Sequence, residues 1–200
     1  LNAVLAHESS HARRRAPLEA RNLGVEVKKG EIAFRANLVN VTDGIMVDYS
    51  GGHIDTADGR ELIKMLDKRL GGPKVRFAGG TQYRHLAILK GSTFETAKCT
   101  PPHDISGQPI EAFLPKGGGG KELRQLMEDT RLLLEGHEIN RERRRDGKKT
   151  ANMVWLWGQG KGMEMPSFQS RFGLTGAVIS AVDLIKGLGK AIGMDVLEVP

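Results

Sequence analysis

The sequence predicts an α/β protein with a mixed β-sheet and helices packed on it. Three observations lead there: segments that alternate apolar and polar residues, segments with apolar residues at helical spacing, and the way the two kinds alternate along the 200-residue chain. Gly30–Val41 (GEIAFRANLVNV) puts Ile32, Phe34, Ala36 and Leu38 in phase as a strand. Thr42-Asp43-Gly44 signals a turn, and Ile45–Tyr49 returns as the second strand of a hairpin. Thr56 caps a predicted helix that runs to Leu70, with Leu62, Ile63, Leu66 and Leu70 on one face, and Gly71-Gly72-Pro73 ends it. Val75–Ala78 and His85–Leu89 read as two further strands.

From Ser92 to Gly120 the periodicity dissolves into Pro, Gly and Thr. A long connection of this kind inside a compact domain is functional or mobile, and the closing Gly117–Gly120 run reads as a hinge. Glu122–Leu134 is a helix, which the basic run Arg141–Lys149 extends or caps. Asn152–Trp157 is apolar at nearly every residue, as expected of a buried strand. Ala177–Ser180 is a short strand, Val182–Ile192 a helix and Met194–Val199 a final strand. Leu1–Leu5 begins in mid-pattern without Met and the last strand runs into Pro200, so both ends are expected to be cuts through a larger protein.

Composition narrows the function classes. At 39% hydrophobic residues the chain can bury one core, or one core with a satellite lobe. No stretch approaches the roughly 18 apolar residues of a membrane span, and Leu1–Ala6 lacks the length and charge order of a secretory signal. Cys99 is alone, which excludes a disulfide framework and a cysteine zinc site. A soluble, cytoplasmic protein is the expectation. The net charge of +6 suits an anionic partner, either a small phosphate ester or nucleic acid. Much of it sits in Arg13–Arg15 and Arg141–Lys149, which read first as solvated surface.

Two short motifs were weighed and set aside. His7-Glu8-Ser9-Ser10-His11 has the spacing with which two histidines on one helical face hold zinc. The extended form of that motif wants Gly at 14 and His at 17, where this chain has Arg14 and Pro17, and three consecutive arginines oppose a cation. Gly117–Gly120 with Lys121 suggests a phosphate loop, but Pro115 and Glu122 stand where that loop needs Gly and Ser or Thr. No metal ligand is therefore assigned. Gly158-Gln-Gly-Lys161-Gly could bring backbone amides and a cation to an oxyanion, or be a turn.

More telling are polar residues set where burial is expected. Arg35 and Asn37 interrupt an apolar strand, Asp48 and His53 flank a Gly-rich turn, Arg84 and His85 open another strand, and His103-Asp104 follow a Pro-Pro pair. Each alone is most often a satisfied structural group. Together they offer guanidinium forks for phosphate or carboxylate, and His or Asp for proton handling. The assortment fits a small phosphorylated hydroxy acid better than a nucleic acid, whose surfaces add exposed aromatics or a basic recognition helix.

The residues then become recognisable. Arg15-Ala-Pro-Leu-Glu-Ala20, Ile32-Ala-Phe-Arg-Ala-Asn-Leu38, Asp48-Tyr-Ser-Gly-Gly-His-Ile54, Tyr83-Arg-His-Leu86, Pro101-Pro-His-Asp-Ile105, Asn140-Arg-Glu-Arg143, Trp155-Leu-Trp-Gly158, Pro166-Ser-Phe168, Gly176–Ser180 and Leu184–Gly189 follow one another as in the cofactor-independent phosphoglycerate mutases of archaeal type. The chain resembles that family from Arg15 onward, and most of all its bacterial branch, which includes chains labelled homoserine kinases.

The resemblance implies the inserted domain of an alkaline phosphatase-like enzyme. Residues 1–30 are then an end piece of the phosphatase-like core, 31–180 the inserted substrate-handling domain and 181–200 the return into the core. It also implies a glycolytic mutase that exchanges phosphate between the 2- and 3-hydroxyls of glycerate through a phosphoserine. Divalent metals (Mn, Zn or Mg) activate that serine, and serine and metal ligands alike are expected outside this chain, which alone should be inactive. His53, His103 and Asp104 are the expected catalytic groups; Arg35, Asn37, Asp48, Arg84, His85, Lys161 and Lys186 are expected to bind phosphoglycerate. Arg15 and Arg171 are left as structural candidates. A homoserine kinase-like phosphotransferase and a basic nucleic-acid-binding module are the alternatives.

Overall fold

The structure is a computed structural model that describes residues 15–162 and 165–197. His7 and His11 lie outside the described residues. The chain is α/β: a five-stranded sheet with helices on it, and two smaller two-stranded sheets.

The organising element is β1 (Glu31–Thr42), whose apolar-polar alternation gives it two chemically different faces. β2 (Ile45–Asp48) folds back on its last residues, with Thr42 opposite Ile45 across the predicted turn. Asp43 and Gly44 both take positive φ there, as a tight hairpin requires. α2 is Thr56–Leu70, capped by the Asp55 carboxylate, which accepts from Asp58 N–H; the cap is one residue earlier than the sequence suggests. β3 (Val75–Thr81) and β4 (Arg84–Lys90) form an antiparallel hairpin that lies along β1. β7 (Met153–Lys161) pairs antiparallel with the other edge of β1.

All pairings in this principal sheet are antiparallel; among the described residues parallel pairing is confined to β8 (Ala177–Ile179) and β9 (Asp195–Leu197). These two strands are joined by α6 (Asp183–Ala191). α1 (Arg15–Asn22) packs against α6 closely enough that a side chain at Gly187 would strike the Leu18 carbonyl at 2.0 Å. Lys190 Nζ also donates to the Asn22 carbonyl at 2.8 Å.

The core lies on one face of the sheet. Ile32, Phe34, Ala36 and Leu38 of β1 pack with Leu62, Ile63 and Leu66 of α2 and with Leu123, Met127 and Leu134 of α3 (Gly120–Glu135). On the opposite face Ala16 and Ala20 of α1 rest on Ala33, Leu86 and Ile88 at one end, and Val39 and Trp155 are buried further along it. The basic run forms its own helix, α4 (Glu138–Arg145), rather than a continuation of α3.

The segment between β4 and α3 is ordered by short 3-10 turns and the paired strands β5 (Ala97–Lys98) and β6 (Lys116–Gly117). The glycine run is no hinge. A Cβ at Gly118 would lie 2.2 Å from Thr96 Oγ1 and 2.3 Å from the Thr93 carbonyl, and one at Gly119 would lie 2.2 Å from the Phe94 ring. Glycine is there because the backbones approach too closely for anything larger. No helix among the described residues is long and apolar enough to cross a membrane.

Candidate functional site

Next to the apolar contact with α1, the second face of the sheet carries polar groups. Alternation brings Arg35 and Asn37 of β1 to it, and the strand registers set them beside Arg84 of β4 and Trp155 and Trp157 of β7. Gly158 makes the arrangement possible. With φ at +61° it forms a bulge in β7, and a Cβ there would come within 3.2 Å of Arg35 Cδ. The Arg35 guanidinium lies over the Trp157 ring, 4.2 Å from its centroid. Trp157 Nε1 donates to Asn37 Oδ1 at 3.1 Å, and Trp155 Nε1 donates to the Thr100 carbonyl at 2.8 Å, which ties the segment before His103 to β7.

An aromatic row extends from Trp157. His103 meets it edge-on at 5.3 Å between centroids, Tyr49 meets His103 at 6.2 Å, and Tyr83 meets Tyr49 at 5.9 Å. Arg84 lies over Tyr83 at 5.6 Å. The row therefore has a guanidinium at each end.

Glu19 of α1 grips Arg35 with both carboxylate oxygens, Nε to Oε2 and NH2 to Oε1, each at 3.0 Å. Burial holds the Arg35 guanidinium below its ordinary pKa; Glu19 pulls it upward, and the charges of Arg15 and Arg84 pull it down again. Arg15 and Arg84 are thus near enough for their charges to oppose that of Arg35, which the Glu19 carboxylate offsets. Among the described residues the buried Arg84 Nε has no hydrogen-bond partner, a donor that an anion would satisfy. Next to this group opens a cleft of about 680 Å³, lined by Arg15, Lys98, His103, Asp104, Lys116 and Trp157 among others.

Of the residues singled out in the sequence, the structure gathers Arg35, Asn37, Arg84 and His103, with Asp104 beside His103 (Nε2 to Oδ1, 3.5 Å). It does not gather the others. His85 faces the core side: opposite Ala36, only 1% exposed, it accepts from Gly80 N–H through Nδ1 at 3.0 Å. Burial pushes its pKa down to about 3, so it is a neutral structural histidine. Asp48 closes a local turn, accepting from Ser50 N–H at 2.7 Å and Ser50 O–H at 2.5 Å. Burial pushes its carboxyl upward, but Ser50 and Lys149 outweigh that and leave it below its ordinary value. His53 stands exposed on the following turn with φ +51°, its N–H bound to Ser50 Oγ. Lys161 ends β7 and pairs with Glu95 at 3.3 Å, and Lys186 lies on α6. Arg15, set aside in the sequence as structural, stands at the cleft.

Sequence reasoning missed Glu19, Tyr49 and Trp157. For Trp157 the sequence does carry a signal, the glycine that follows it and interrupts a buried strand.

The basic run offers little free charge. Arg143 is turned inward, where Nε donates to the Lys149 carbonyl at 2.9 Å and NH2 to those of Gly51 and Gly52 at 3.0 and 2.7 Å. Arg141 and Arg145 pair with Glu138, and Lys148 with Asp146.

Known proteins are similar to this chain in sequence and in fold. The sequence model of 2,3-bisphosphoglycerate-independent phosphoglycerate mutase matches residues 9–140. The chain belongs to that family. A probable 2,3-bisphosphoglycerate-independent phosphoglycerate mutase of Geobacter sulfurreducens is 49% identical over 193 residues, covering 92% of this chain and 47% of that protein. The mutase of Methanothrix thermoacetophila is 50% identical over 186 residues, covering 93% and 46%. The solved structure of the cofactor-independent phosphoglycerate mutase of Thermoplasma acidophilum superposes with a TM-score of 0.66 at 26% identity, covering 96% of this chain and 54% of its own. The chain spans about half the length of the curated mutases it matches. Among the described residues no three His, Cys, Asp or Glu side chains gather into a metal site, so no metal step is drawn through them.

Proposed function

We propose that this chain supplies the substrate-handling part of a phosphoglycerate mutase, binding phosphoglycerate on the polar face of its sheet. The observation that carries the reading is the aromatic row with a guanidinium at each end, Arg35 over Trp157 and Arg84 over Tyr83, where Arg84 Nε is buried and unpartnered among the described residues. Phosphate and carboxylate on one small molecule need two separate cationic contacts, and guanidinium forks suit both. In this reading Arg84 and Arg15 neutralise the ligand, Asn37 and Trp157 form the floor, and His103 with Asp104 handles protons at the cleft edge. The divalent metals (Mn, Zn or Mg) and the serine that takes the phosphoryl group belong to the rest of the full-length enzyme. Residues up to 30 and from 181 are pieces of that phosphatase-like part, a division supported by the packing of α1 on α6; the parallel pairing of β8 with β9 reaches across that boundary.

A nucleic-acid module is the weaker reading, because the charges of Arg141, Arg143, Arg145 and Lys148 are engaged locally. The test is an NMR titration of the chain with 3-phosphoglycerate, inorganic phosphate, ATP and a short DNA duplex. Shifts at Arg35, Arg84 and His103 that phosphate alone does not reproduce are expected. An equal response to phosphate, or salt-sensitive shifts with DNA around α4 alone, overturns the reading.

A further inference from the structure

We propose that Trp157 is a positioning residue that aligns Arg35 and His103 against one indole ring, so that both meet an anionic ligand in fixed relative geometry. As a role in phosphoglycerate handling, the inference rests on the function proposed above. Trp157 touches both groups: its face carries the Arg35 guanidinium at 4.2 Å, and His103 meets it edge-to-face at 5.3 Å and 73°. The indole itself has little freedom. Its N–H is held by Asn37 Oδ1 at 3.1 Å, the residue is only 4% exposed, and the left-handed Gly158 that follows leaves the space Arg35 occupies.

The geometry divides the work at Arg35. Glu19 engages Nε and NH2 of the guanidinium edge, and the indole supports its plane. A flexible four-bond side chain is thereby locked in one rotamer before any ligand arrives, which reduces the ordering cost of binding. His103 has less support. Its side chain is 45% exposed, and Trp157 and Tyr49 flank it edge-on at 73° each. Loss of the indole releases one group from below and the other from one side, while leaving their charges and hydrogen-bonding atoms unchanged. A plain structural tryptophan would not couple two polar groups in this way.

The test compares the wild-type chain with Trp157→Leu and Trp157→Phe. Phosphate affinity is measured by calorimetry, and the His103 Hε1 and Arg35 Nε–H resonances by NMR. Trp157→Leu should weaken inorganic phosphate by on the order of tenfold, through loss of cation–π support and of the fixed Arg35 rotamer. Trp157→Phe keeps an aromatic face and should recover most of that loss, although its ring has no N–H for Asn37. The His103 and Arg35 resonances should move together in Trp157→Leu, with the Trp155 indole N–H unshifted as the sign of an intact fold.

Phosphate binding by folded Trp157→Leu within twofold of wild type overturns the inference, as does a loss that Trp157→Phe fails to recover. If Trp157→Leu does not fold, Trp157→Phe decides through the two resonances: immobility of both sinks the proposal. The function proposed above fails separately, when wild type binds phosphoglycerate no better than phosphate; the phosphate results on the variants still decide the role of Trp157. Wild type that binds neither anion overturns both.

Discussion

The two faces of β1 are made by one strand and do opposite things. On one side Ile32, Phe34, Ala36 and Leu38 are at most 2% exposed and pack against α2 and α3. On the other, Ala33 lies under α1 and is followed by Arg35 and Asn37, which build the polar group proposed to meet an anion. The first face needs only apolar volume, and it supplies cohesion that does not depend on orientation. The second holds like charges close together, which costs stability, and each face keeps one buried nitrogen without a partner among the described residues, His85 Nε2 on the first and Arg84 Nε on the second. A period of two lets the strand separate these demands completely, because no residue serves both faces. Two histidines make the same contrast: His85, one place from Arg84 in sequence, is sealed on the core side, while His103 stands open beside the cleft.

Breaking the apolar face should have the largest effect. Phe34→Ala is expected to cost about 3–5 kcal/mol in urea denaturation, because Phe34 is 0% exposed and stacks edge-on with Phe94. Phosphate affinity of the fraction that remains folded should be unchanged, and its loss would show that the faces are not independent. Arg143→Ala should cost about 2–4 kcal/mol by leaving three carbonyls without their donor, again readable by denaturation. Glu19→Gln sharpens the contrast: stability should fall by about 2 kcal/mol, yet phosphate should bind more tightly because a competing anion is gone.

His85 predicts a pH signature. Its pKa is lowered in the folded state, so its contribution is intact above pH 6.5 and is lost as pH falls from 6.5 toward 3, where only the unfolded chain takes up the proton. The slope should be up to ~1.4 kcal/mol per pH unit over that window. His85→Asn, which keeps an acceptor for Gly80 N–H but cannot titrate, should flatten it. The smallest effect is expected at Arg145→Ala, below about 0.5 kcal/mol, since its partners Glu138 and Glu142 are surface groups.

Much of this was legible from spacing alone. β1, α2 and α3 declare themselves by periodicity, and Arg35 and Asn37 stand out as polar residues in an apolar strand. His85 was misplaced because alternation tells which residues share a face but not how neighbouring strands are registered. Only the pairing of His85 with Ala36 assigns it to the core. Asp48 carries a local signal that was passed over: Asp followed two residues later by Ser closes a turn on itself. Glu19 could not be found, since it reaches Arg35 from a helix that the sequence pattern does not announce. Trp157 was counted as core because it is apolar and buried, and burial is compatible with holding a guanidinium.

The glycine turn ahead of α3 has one more consequence. Thr96, Ala97, Lys98 and Lys116 form a wall of the cleft, and that wall is clamped to Phe94, whose ring is seated on Phe34 in the core. The gap between wall and sheet is therefore set by the interior of the protein rather than by what enters it. A molecule of matching size finds the opening already made and need not wait for a loop to settle, while a bulkier one meets a boundary that cannot yield without disturbing the core.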